Sequence, residues 1–450
     1  MCARNKFIKD YVEGRLPQME ILYGRDKIKI ELPPGMDVTV IRKPSMPVLP
    51  DPKQAVLNAL ENPVDNGKNP QSLAQLARNA SSACIVICDI TRPVPNALFL
   101  RPVIETLMNN GIPPQAICVL VATGLHRPNL GKELEELVGD PWVLQTVNVI
   151  NHDARNDAHH RDFGKTTSRG TPVKLNRQLV DADLRIVTGL VEPHFMAGYS
   201  GGRKVIAPGV AHADTITTFH NHAFMSHPAA VNCNLKSNPL HETQLEIVEM
   251  IGGAFAINTV IDEDRNLSMI NFGEINASHQ QAVEFIQDYC RVPVDDLFDV
   301  VITSGAGYPL DKTYYQAVKG MVGAMDILKP GGDLIIAAQC SEGLGSPEYV
   351  DAQRRFTQLG PTAFLASLKP KKFADIDEWQ TQMQIKAMAI GKIHLYSELS
   401  DESLKITGVQ PVNDLNTFIK HIAASHPRVA VIPEGPYVIP YRNQTDRVRT

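Results

Sequence analysis

Four short apolar runs set the frame for this chain: Ile85-Val86-Ile87-Cys88, Ile117-Cys118-Val119-Leu120-Val121, Val147-Asn148-Val149-Ile150 and Leu184-Arg185-Ile186-Val187-Thr188-Gly189. Each has the length of a buried strand, and each breaks off into charged, imidazole or glycine residues. Open α/β sheets bind ligands outside the carboxyl ends of their strands, so the segments leaving such runs would share one crevice. Asp89, Thr91 and Arg92 leave the first run, His126 the second and His152 the third. Pro93 and Pro95 stiffen the first exit and aim the Arg92 guanidinium, whose fork suits a carboxylate. An exposed arginine on an ordinary connecting loop is the alternative.

The fourth run feeds Glu192-Pro193-His194-Phe195-Met196-Ala197-Gly198-Tyr199-Ser200-Gly201-Gly202-Arg203-Lys204. Gly198, Gly201 and Gly202 permit positive φ and close approach of backbone N–H groups to an anion, for which phosphate is the natural guess. The spacing matches neither the phosphate loop of nucleotide hydrolases nor the glycine turn of dinucleotide binders, which removes the usual signatures of ATP and NAD. A tight strand-to-helix connection with an incidental lysine is the other reading of such a turn. Histidines then crowd one interval, at 194, 212, 220, 222, 227 and 241. Of these His222, His227 and His241 read as ordinary solvent-facing or hydrogen-bonded core residues.

A second constellation follows Val300-Val301-Ile302-Thr303, which leads into Ser304-Gly305-Ala306-Gly307-Tyr308-Pro309. Ala317, Met321, Ala324 and Leu328 then recur at near-helical spacing before Gly331-Gly332 and the apolar run Leu334–Ala338, which predicts a βαβ unit. Tyr315 and Lys319 are four apart and share a helix face, with Gln316 beside them. They would offer a hydroxyl, an amide and an ammonium to an acidic substrate, although a solvated helix face has the same spacing.

Taken together, the Asp89 to Pro95, Gly124 to Arg127 and Glu192 to Lys204 segments resemble the nickel-dependent lactate racemase family. That pattern pairs Asp-x-Thr-Arg-Pro-x-Pro with Gly-x-His-Arg and then Glu-Pro-His-Phe-x-Ala-Gly-x-Ser-Gly-Gly-Arg-Lys, and the similarity runs from about Met19 to about Tyr441. The resemblance implies a nickel-pincer nucleotide, a pyridinium-3,5-bisthiocarboxylic acid mononucleotide holding nickel, bound covalently to Lys204. It makes His220 the protein ligand to the metal, with two sulfurs and a ring carbon of the cofactor as the other donors, a soft planar set that suits nickel. It makes His126 and His194 the acid/base pair on either side of a 2-hydroxy acid, and Arg92, Tyr315, Gln316, Lys319 and Trp379 its binding residues. A tryptophan in a helical pattern also suits a core. Asp89, Thr91, Gly201 and Gly202 are the candidates for contacts to the nucleotide.

The reaction so implied is racemisation or C2 epimerisation of a lactate-like 2-hydroxy acid by proton-coupled hydride transfer, which avoids a carbanion that histidine is too weak a base to form. Malate, an aromatic hydroxy acid or a sugar acid are alternative substrates, because the Gly139 to Gly170 stretch and the residues before Met19 depart from shorter members and loops of that kind build side-chain pockets. A protein that holds the nickel nucleotide without turnover is the remaining reading.

At 450 residues the chain exceeds a single core, so two α/β domains with an interdomain active-site cleft are expected. The expected division is a cofactor-binding domain over 19–275, a connecting helix over 276–293 and a second α/β domain over 294–450 that contributes the substrate-binding residues. A proline-rich connection over Lys43 to Pro52 would follow an N-terminal β hairpin. The net charge of −5 gives no basic surface for nucleic acid, and no apolar run is long enough to span a membrane. With seven cysteines read as thiols and not as a disulfide set, a cytoplasmic location is expected, with cofactor-biosynthesis proteins as partners.

Overall fold

The computed structural model describes residues 18–33, 36–67, 70–423 and 428–443. The extra N-terminal segment expected before Met19 lies almost wholly outside the described residues, as does the end of the chain from 444. Two compact units result: one is Ser45–Asp288, the other joins the chain up to Pro44 with the chain from Tyr289. The break falls within the helix Ile275–Cys290.

The expected start of the first domain at residue 19 is not what the structure shows. The hairpin of Gln18–Tyr23 and Asp26–Glu31 packs Met19, Ile21, Ile30 and Leu32 into one core with Val300, Ile302, Val429 and Val431. Asp37–Val40 then pairs in parallel with Arg428–Ile432. Alternation in the hairpin says that one face needs covering, but not which part of the chain covers it. The Lys43 to Pro52 stretch is irregular up to the helix Pro52–Glu61, as its prolines require.

In the first unit six strands lie in the order Leu267–Glu274, Phe255–Ile261, Leu184–Leu190, Ala83–Cys88, Ile117–Ala122 and Asn148–Asn151. Only the Leu267–Glu274 edge strand runs antiparallel to its neighbour. The predicted strands are all present, and helices explain their unbroken apolar runs. Phe99, Leu100, Val103, Ile104 and Leu107 of the helix Asn96–Asn109 cover Ile85, Ile87, Val119 and Val121. Chain order reverses at Ala83–Cys88, since Ile117–Ala122 lies on one side of it and Leu184–Leu190 on the other. That reversal opens a crevice outside the carboxyl ends of the central strands.

The second unit holds an all-parallel sheet in the order Gln410–Pro411, Lys392–Tyr396, Leu328–Ala337, Phe298–Ser304, Arg428–Ile432 and Asp37–Val40. Its order reverses at Phe298–Ser304 in the same way. The helix after this strand, Tyr314–Ala324, is shorter than the spacing to Leu328 predicts: Met325–Ile327 is a 3-10 turn and Leu328 opens the next strand. Gly332, which precedes the apolar run in the sequence, sits inside that strand, where a Cβ would lie 2.7 Å from the Asp299 carbonyl oxygen. Among the described residues no disulfide joins two cysteines and no helix is long and apolar enough to cross a membrane.

Candidate active site

The exit of the Ala83–Cys88 strand carries a hydrogen-bonded dyad. Asp89 is buried, and its Oδ2 lies 2.6 Å from His126 Nδ1, at the exit of the neighbouring strand. Thr91 Oγ1 donates to the other carboxylate oxygen at 2.6 Å. Burial alone would raise the Asp89 carboxyl, but His126, Thr91 and Arg92 outweigh it and hold the pKa at about 2. A carboxylate only accepts, so Nδ1 of His126 carries a proton, and in the neutral ring Nε2 carries the lone pair. Arg92 donates to the carbonyl and hydroxyl of Thr91, and its Nε lies 3.4 Å from Glu192 Oε1. The Arg92–Glu192 contact joins the exit of Ala83–Cys88, where the order reverses, to that of its neighbour Leu184–Leu190.

After Leu184–Leu190 the glycine-rich segment folds back on itself. Pro193–His194 pairs with Gly198–Tyr199, and the Ser200 hydroxyl donates to the Leu190 carbonyl at 2.6 Å. Gly198 has φ 78°, and a Cβ there would come within 2.3 Å of the Asn234 carbonyl oxygen. Inside this turn His194 Nδ1 accepts from the amides of Met196 and Ala197, at 3.3 and 3.2 Å. A neutral His194 therefore carries its proton on Nε2, the opposite of His126. The two histidines are inequivalent: one presents a base at Nε2, the other a donor.

Lys204 lies half-buried in the short helix Arg203–Ile206. Burial first, then the Arg92 and Arg203 guanidinium groups, brings its ammonium down to about 7, against the pull of Cys88 and Glu192. Near neutral pH a large share of such an amine is unprotonated and nucleophilic. His220 closes the helix Ala213–Phe219, with Nδ1 2.9 Å from the Ile216 carbonyl. Burial, with Lys204 adding to it, pushes this imidazole to about 3. It is thus neutral, with its Nε2 lone pair directed away from the carbonyl that fixes the ring, as a metal-binding histidine needs. Among the described residues no three His, Cys, Asp or Glu side chains are arranged to hold a metal ion.

In the second unit Thr313 caps the helix Tyr314–Ala324 by accepting from the Gln316 amide, and the face beyond is not solvated. Gln316 and Lys319 are buried, and Gln316 Oε1 has no hydrogen-bond partner. Such an orphaned acceptor fits a ligand donor. Trp379 donates from its indole nitrogen to the Tyr315 hydroxyl at 3.0 Å, and the Gln380 amide donates to the Tyr315 carbonyl. Trp379 therefore orients Tyr315 as well as lining its surroundings.

Other expectations shift. His152 does not face the crevice: Nε2 donates to the Ala211 carbonyl, Nδ1 accepts from Asn176, and burial lowers it to about 4. His241, read as ordinary, accepts from Arg203 Nε at 2.9 Å. Cys88, read as a core thiol, is within electrostatic reach of Arg92, Asp89, Lys204 and Glu192, and burial pushes it up to about 11. Its place as the last residue of the central strand is the signal that marks it. Asp89, expected against a nucleotide, has its carboxylate engaged by His126 and Thr91.

Residues 23–232 match the family described as "Lactate racemase N-terminal domain", and 295–439 the "Lactate racemase C-terminal domain". A lactate racemase of Thermoanaerobacterium thermosaccharolyticum is 30% identical over 94% of this chain and 99% of its own. One of Lactiplantibacillus plantarum is 31% identical over 86% of this chain and 90% of its own. The apoprotein structure of the former superposes with a TM-score of 0.82, 29% identity, 94% of this chain and 100% of that one. A Thermotoga maritima crystal structure shares the fold at 18% identity, with a TM-score of 0.66 over 82% of this chain and 96% of its own. With this extent of identity and a matching two-part organisation, the chain belongs to the lactate racemase family of isomerases.

Proposed function

We propose that this protein interconverts the enantiomers of lactate on a nickel-pincer nucleotide attached to Lys204, with nickel held by His220. The observation that carries this reading is Lys204 itself: a glycine-turn lysine, held near pKa 7, that lies within electrostatic reach of an imidazole kept neutral for ligation. When bound, the cofactor supplies a pyridinium ring that accepts hydride from the substrate carbon and returns it. His126 Nε2, fixed by Asp89, takes the hydroxyl proton; neutral His194 donates an Nε2–H hydrogen bond to the substrate oxygen from its own side and acts as an acid only as imidazolium, with a second proton on Nδ1. For His194 to take a proton in the reverse sense it must first give up its two amide contacts. Arg92 offers its guanidinium to the substrate carboxylate; within the second unit Gln316 and Lys319 offer an amide and an ammonium, and Tyr315 is held by Trp379.

Co-production with cofactor-building enzymes tests the assignment by intact mass, nickel content and racemase activity. Lys204→Ala is expected to lose the covalent adduct, and His220→Ala to keep the adduct and lose nickel. His126→Ala and His194→Ala should keep both yet stop racemisation, each still passing deuterium from C2 of a different enantiomer. An adduct persisting in Lys204→Ala rejects the proposal.

A further inference from the structure

The turn that presents Lys204 rests on a group to which no role has been given. Arg203, the residue before it, is 1% exposed, and its hydrogen-bond partners are the imidazoles of His241 and His279 and the carbonyls of Ala197 and Gly201, with no carboxylate among them. A guanidinium so deeply buried is tolerated only while its donors are met. His279, on the helix Ile275–Cys290, is 3% exposed. Its Nε2 lies 2.8 Å from Arg203 Nη1, a donor, and 2.9 Å from the Ser200 carbonyl oxygen, an acceptor. One ring nitrogen is either N–H or lone pair, so it serves one of these neighbours at a time. The same ring is the floor beneath Gly202, which has φ 48° and where a Cβ would meet His279 at 2.9 Å.

Ser200, Gly202 and Arg203 are three of the four residues immediately before Lys204. We infer that His279 is a positioning residue for Lys204, acting through the Ser200 carbonyl, the ring contact at Gly202 and the Arg203 guanidinium, with His241 bracing Arg203 from the other side. Its importance for catalysis rests on Lys204 being the attachment point, but its action on the turn does not.

The discriminating pair of variants is His279→Gln and His279→Leu. A glutamine amide carries a donor and an acceptor close to the place of Nε2, whereas leucine fills space with neither. The readout is the rate at which an amine-reactive ester labels Lys204 in the full-length protein at neutral pH, followed by peptide mass, with exposed Lys132 and Lys392 as internal references. His279→Leu should slow Lys204 labelling by about fivefold or more, since small misplacements of a reacting group are costly, while His279→Gln should stay within about twofold of wild type. Unchanged labelling in a folded His279→Leu protein overturns the inference, as does a His279→Gln protein as slow as the leucine variant. Should the leucine variant fail to fold, the glutamine variant decides alone: retained labelling supports the role, slowed labelling overturns it. A wild-type protein that forms no adduct beside cofactor-building enzymes, while His279→Leu still slows labelling, would remove the attachment reading and leave the positioning role standing.

Discussion

At the scale of single residues, tautomers separate the two candidate catalytic histidines. Asp89 gives His126 its Nε2 lone pair, so Asp89→Asn should turn the ring to the wrong tautomer. We expect kcat to fall by about 10²- to 10⁴-fold, as at other acid–imidazole pairs, with KM and the covalent adduct kept. Loss of the nucleotide instead would mean that Asp89 acts on the cofactor. The dyad also carries a pH signature. Because the folded-state pKa of Asp89 is depressed to about 2 from 3.8, its contribution to stability is present above about pH 4 and disappears as the pH falls toward 2. The difference in unfolding free energy between wild type and Asp89→Asn, followed by denaturant titration, should therefore shrink across that range. Of these relations the sequence showed the aspartate and the histidine, but not their contact, because a separation of 37 positions leaves two side chains free to point anywhere.

At the scale of elements, strands were legible and the ends of helices were not. Continuous apolar runs such as Ala83–Cys88 announce strands buried on both faces, whereas the end of Tyr314–Ala324 depended on where Leu328 found a strand partner. The glycine turn before Lys204 was legible as a turn, but its contact with His279 was not. Gly202 and Gly131 have similar positive-φ backbones, at φ 48° and 55° with ψ −125° and −130°, yet a Cβ at Gly131 would meet nothing within 4 Å. Gly131→Ala should then cost only the backbone strain, on the order of 1–3 kcal/mol, and Gly202→Ala about 1–3 kcal/mol more from overpacking against the His279 ring. Chemical denaturation of both variants measures the difference, and equal losses would show that the ring gives way freely.

At the scale of the whole molecule, the described residues up to Pro44 belong to the unit formed by the last third of the chain. Deleting 18–44 should strip Met19, Ile21, Ile30 and Leu32 from that core and expose the edge of Arg428–Ile432, while sparing the Ser45–Asp288 unit. Hydrogen exchange should show lost protection in Phe298–Ser304 and Arg428–Ile432 but not in Ala83–Cys88; uniform loss would contradict the partition. By itself the sequence determined the α/β class, the central strands and the residue types of the site, because apolar periodicity, glycine turns and the Glu192 to Lys204 motif are local properties. Only the tertiary structure decided that the N-terminal hairpin joins the second unit, that His152 is tied into the scaffold, that Asp89 holds His126 and that His279 underlies Lys204. Each of these is a pairing between distant segments, settled by which buried polar group and which apolar face each segment can satisfy, and no local pattern encodes that choice.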